Sequence, residues 1–133
     1  MKIKDCKVGH VYHFFTNNTI PPKDKFCLCV GSCRFFLINS KPLWPGSVKI
    51  ERVPDHLFLA YDSFIECGNI VDEDENSVIT THCHKGKLSE KMTNILISFI
   101  PGVVNLVRLD KKQISDCLRS FRKELLGIND DSQ

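Results

Sequence analysis

The chain reads as an α+β protein, with short strands in a mostly antiparallel sheet followed by two helices. Three observations predict this. Phe26-Cys27-Leu28-Cys29-Val30 and Phe35-Phe36-Leu37-Ile38 are apolar runs separated by a turn at Gly31-Ser32-Cys33, the spacing of a hairpin. Val48-Lys49-Ile50-Glu51-Arg52-Val53 alternates apolar and charged residues, as a half-exposed strand does. Met92, Ile95, Leu96, Phe99 and Ile100 recur at helical spacing, and so do Ile114, Cys117, Leu118, Phe121 and Leu125.

Taken in order, residues 11–15 predict a first strand and residues 16–25 a loop, punctuated by Asn17-Asn18 and Pro21-Pro22. Strands over 25–30 and 34–39 follow, then a second loop at 41–47 containing Pro42, Pro45 and Gly46. After the alternating strand at 48–53, residues 56–60 and 63–67 predict two more short strands. An acidic turn at 72–76 leads to a last strand over 77–82. Lys85-Gly86-Lys87-Leu88-Ser89-Glu90 opens the first helix, with Ser89 as its N-cap and Pro101-Gly102 as its stop. Asp110 and Gln113 are spaced as a capping box for the second helix, and Gly127 suits its C-terminal end. The helix's apolar face predicts either core or an interface with a partner. One domain is expected over residues 1–128, with a flexible tail over 129–133.

Composition narrows the class. At 133 residues and 42% apolar content the chain can bury a real core. No run is long enough to span a bilayer, and the first residues lack the pattern of a secretory leader, so a cytoplasmic protein with no membrane contact is expected. Seven cysteines is an odd count, and Cys27 and Cys29 share a strand face, which favours reduced thiols packed as small hydrophobes. A net charge of +2 does not by itself imply nucleic-acid binding. Residues 1–34, however, hold six Lys or Arg against two acids, a balance that attracts phosphate or simply solvates a face.

The chemical candidates are few. Lys23, Asp24 and Lys25 either present cations to a phosphate or form a polar turn, and Arg34 either reaches the same groove or caps the hairpin. His82 and His84 would share a strand face, where one can act as a base near neutral pH. Cys27 and Cys29 are too closely spaced for the usual structural zinc pair, so no metal or other cofactor is expected. His10 and His13 flank the first strand, and one of them can face a groove. Trp44 and Phe35 can stack bases, although Trp44 between two prolines can equally lid the sheet.

The order of segments over roughly residues 9–100 resembles the PemK/MazF-like toxins. The matching features are Pro21-Pro22-Lys23-Asp24-Lys25 feeding Phe26 to Val30, and a strand ending in Asn39-Ser40. Leu57 to Ile65 around Asp62 and the Gly86 turn into a helix complete the pattern. The resemblance implies a small antiparallel SH3-like β-barrel plugged by the first helix. It also implies a metal-independent endoribonuclease acting on single-stranded RNA, with an antitoxin or other protein partner and a homodimer. In that scheme a base takes the 2′-hydroxyl proton, the freed oxygen attacks phosphorus, and a cation steadies the phosphorane. Lys25, Ser40 and one of His82 or His84 take the catalytic roles, and Lys23, Arg34 and Trp44 bind substrate. Lys25 and Asn39 stand where the family commonly has Arg and a hydroxyl residue, which points to altered or lost catalysis and leaves a non-catalytic binding module as the alternative. The second helix lies beyond the usual end of that fold.

Overall fold

The computed structural model describes residues 1–80 and 82–127. Their strands are β1 (His10–Thr16), β2 (Lys23–Gly31), β3 (Arg34–Asn39), β4 (Ser47–Ile50), β5 (Ser63–Glu66), β6 (Val71–Asp72) and β7 (His84–Lys87). The helices are α1 (Glu90–Phe99) and α2 (Arg108–Leu125). All pairings are antiparallel, in the order β4-β5-β3-β2-β1-β7, with β6 beside the start of β3. The path has two ends, β4 and β7, so the sheet stays open where a closed SH3-like barrel was expected. The tail expected at 129–133 lies outside the described residues.

Apolar side chains alternate between the two faces of the sheet, as the period of a strand requires. Leu28, Val30, Phe36 and Ile38 join α1 and α2 in one cluster through Met92, Leu96, Ile100, Ile114, Leu118 and Phe121. Cys27, Cys29, Phe35 and Leu37 face the other way and pack with Ile3, Tyr12, Phe14, Ile79 and Cys83. The N-terminal segment and the stretch before β7 therefore cover the face that the helices leave. This is why β2 reads as an unbroken apolar run rather than an alternating one. The inner face of α2 is core. All seven cysteines are free thiols, and burial raises the thiol pKa of Cys29 to about 12.

Several boundaries differ from expectation for physical reasons. Residues 56–60 form no strand; Pro54–His56 is a single 3-10 turn, begun by a proline. Among the described residues of 77–82 there is only an isolated bridge, between Val78 and Lys2. The last strand is instead β7, in the segment expected to open α1, where His84, Gly86 and Lys87 pair with the exposed side of β1. Gly86 fits there because a Cβ would stand 2.6 Å from the Phe58 ring. Ser89 does cap α1, accepting from the Met92 N–H at 3.1 Å. Asp110 does not cap α2: the N-cap is Val107, and Asp110 inside the first turn pairs with Arg34 at 3.0 Å. No helix among the described residues is long and apolar enough to cross a membrane.

Candidate functional site

β1, β2 and β3 end together near Thr16, Lys23 and Asn39, and the segment leading into β5 passes beside them. Between these elements lies a cleft of about 240 Å³. His13 of β1, Asp24, Lys25 and Phe26 of β2, and Ile38 and Asn39 of β3 line it, together with Ser40, Leu59, Ala60, Tyr61 and Ser63. The His13 ring lies 4.6 Å from the Phe26 ring, its cross-strand partner, and is only partly covered. A shallower groove of about 740 Å³ runs along α1 past Lys91, Asn94 and Ile95. It is the gap between turns of one helix and brings no separate elements together.

A hydrogen-bonded chain leads from the cleft into the protein. Lys25 Nζ donates to Asn39 Oδ1. Asn39 Nδ2 donates to Glu66 Oε1 at 3.2 Å, and that oxygen also accepts from the Leu43 N–H at 3.1 Å. Glu66 Oε2 accepts from the Ser47 hydroxyl at 2.6 Å. Glu66 is 3% exposed, so its charge is carried by these donors rather than by water. Partial burial, and then the neighbouring Lys23 ammonium, pull the Lys25 pKa below its ordinary value; Glu66 acts the other way.

The structure brings Lys25 and Ser40 into this one cleft. Lys23 is exposed at the entry to β2, opposite Thr16. His82 and His84 do not line the cleft. His84 Nε2 lies 2.9 Å from His10 Nδ1, and its ring stacks edge-on against Tyr12. The two nitrogens face each other between rings 5.1 Å apart, an arrangement that shares a proton. Among the described residues no cluster of three or more metal-ligating side chains is present. Arg34 stands at the far end of β3, held by Asp72, Asp110 and Gln113, where it ties the sheet to α2. Trp44 is 63% exposed and lids nothing, whereas Phe35 is fully buried and cannot stack a base.

Sequence reasoning missed Glu66. The available signal was a single acid within the apolar run Phe64-Ile65-Glu66-Cys67. It also missed the role of His56. The Ser89 N–H donates to His56 Nε2 at 3.1 Å, so Nδ1 carries the proton toward the Glu51 carbonyl at 3.0 Å. This buried neutral ring ties the loop before β5 to the start of α1. The chain matches no protein-family model and no curated protein sequence.

Proposed function

We propose that the cleft binds single-stranded RNA and cuts it without a metal ion. The observation that carries this reading is the meeting of Lys25, Ser40 and His13 on one concave surface, each from a different part of the sheet. His13 takes the proton of a 2′-hydroxyl, and the freed oxygen attacks the adjacent phosphorus. The 5′-oxygen leaves with the proton that His13 took up, returned through water, producing a 2′,3′-cyclic phosphate and a 5′-hydroxyl end. Lys25 steadies the charge on the phosphorane, and Ser40 donates a hydrogen bond to a phosphate oxygen. Phosphate must approach from the lysine side, because the Asp24 carboxylate repels it. Kinship with the PemK/MazF-like toxins and their SH3-like barrel belongs to the same proposal, as do a cytoplasmic setting, an antitoxin partner and a homodimer.

Incubation with unstructured RNA in excess chelator tests it. The expected products carry cyclic phosphate ends, and Lys25→Ala abolishes both cleavage and the growth arrest caused by expression. Intact RNA after long incubation with folded protein overturns the catalytic reading. One observation favours a second reading, a binding module: the Lys25 ammonium is already tied through Asn39 to a buried carboxylate. Saturable RNA binding without cleavage decides for that reading.

A further inference from the structure

Glu66 does more than neutralise buried donors. It is the point where the cleft and the 40–46 loop are fastened together. Asn39 connects it to Lys25 on one side, and the Leu43 N–H and Ser47 hydroxyl connect it to the loop on the other. The Ser47 hydroxyl also lies 2.9 Å from the Trp44 carbonyl.

The rest of the loop is equally constrained. Pro42 and Pro45 restrict its backbone. Gly46 sits at φ +95°, where other residues are strained, and the Cys67 N–H donates to its carbonyl at 3.0 Å. At Gly68 a Cβ would lie 2.5 Å from the Pro45 carbonyl oxygen, so the loop rests directly on the backbone after β5. A loop held this firmly nevertheless leaves Trp44 63% exposed. A large apolar ring kept in water on a rigid support is pre-organised for a flat partner, because little conformational freedom is lost on contact.

We infer that Trp44 is a stacking platform for one base of a single strand whose phosphate sits at Lys25, with Glu66 as the positioning residue that sets the two subsites relative to each other. This rests on the proposal that the cleft takes single-stranded RNA, whether or not it cuts. Stacking on an aromatic ring tolerates any base, so the platform supplies affinity with little sequence choice.

Trp44 is the chain's only tryptophan, so its emission reports on this loop alone. The probe is a fluorescein-labelled, degenerate pool of 2′-O-methyl RNA decamers, which lack the attacking hydroxyl. It is titrated against the whole chain while anisotropy is followed, and an unlabelled pool is used to follow Trp44 emission. Emission is expected to fall in step with binding. Trp44→Ala should weaken binding about tenfold, and Trp44→Phe should restore most of the loss. Glu66→Ala should weaken binding to the Trp44→Ala level with the salt slope unchanged, because Lys25 still meets phosphate. Glu66→Gln keeps the shape and an acceptor and should bind like the parent, a check that the loss is not general unfolding.

Binding that leaves Trp44 emission unchanged overturns the platform while the proposed cleft stands. No binding of any oligomer overturns both. A salt slope lowered by Glu66→Ala overturns the positioning role of Glu66.

Discussion

Two regions of the sheet each gather titratable side chains, and they use them differently. At the β1–β7 edge His10 and His84 bond to each other at 2.9 Å, and the rings of Tyr12 and Phe121 pack around them. Where β1, β2 and β3 run out near Thr16, Lys23 and Asn39, Lys25, Ser40 and His13 border a cleft of about 240 Å³. In the histidine pair one ring nitrogen of each partner is spent on the other. The cleft groups come from separate segments and line a concavity that a ligand can enter, with the Lys25 ammonium donating to Asn39 beside it. Clustering of chemically capable residues is therefore a weaker sign of a site than their convergence on a concavity.

The largest effect that separates the two regions is on cleavage. His13→Gln should slow RNA cleavage by roughly 10²–10⁴-fold, the usual contribution of a positioned base. His84→Gln should leave the rate within about threefold, since His84 does not line the cleft. Single-turnover rates on one RNA measure both. A large loss in His84→Gln with His13→Gln unaffected would reverse the assignment.

Stability should show the opposite asymmetry. Gly9, immediately before β1, sits at φ +85°, and a Cβ there would lie 2.3 Å from the Phe121 ring. Gly9→Ala thus combines backbone strain with overpacking against a core ring, a loss of about 3–5 kcal/mol. Urea unfolding checks this. A midpoint unchanged from the parent would show that α2 moves away freely at this edge.

At the cleft end, Glu66→Ala leaves the buried Asn39 Nδ2 and the Leu43 N–H without their acceptor, while the Ser47 hydroxyl keeps the Trp44 carbonyl. About 2–3 kcal/mol should be lost by the same measurement, and Glu66→Gln should lose less than about 1 kcal/mol. Equal losses in the two variants would mean that the negative charge, rather than its role as acceptor, holds the loop.

Much of this architecture is legible in the sequence, and the exceptions share a cause. β1, β2 and β3 follow from apolar runs between turn signals, and α1 and the apolar face of α2 from helical periodicity. β7 was hidden because His84-Lys85-Gly86-Lys87 has no apolar alternation; its pairing is decided by the open side of β1 and by the space that Gly86 leaves for Phe58. Asp110 carried an N-cap signal that tertiary structure overrode, since Arg34 takes the carboxylate. The open sheet could not be read from strand order, which is the same whether or not the end strands meet. Lys25 and Ser40, named from the resemblance, line the same cleft because β2 and β3 pair beside each other. Glu66 was not, because its importance depends on a loop returning beside it.

The smallest effect concerns protons at the histidine edge. Burial first, then His84, Lys7 and Lys87, pull the His10 pKa from 6.5 down to about 4. The unfolded chain therefore takes up a proton that the folded chain resists. The His10 contribution is full above about pH 6.5, declines as pH falls toward 4, and is constant below that. His10 is partly solvated, so after allowance for screening the change is about 1–2 kcal/mol over this window. Other groups titrate in the same range, and the His10→Gln variant separates them: its urea midpoint should fall less than the parent's between pH 7 and pH 4. Parallel profiles would show that the pair accepts a second proton without cost. In that case the histidine edge would be as open to solvent as the cleft.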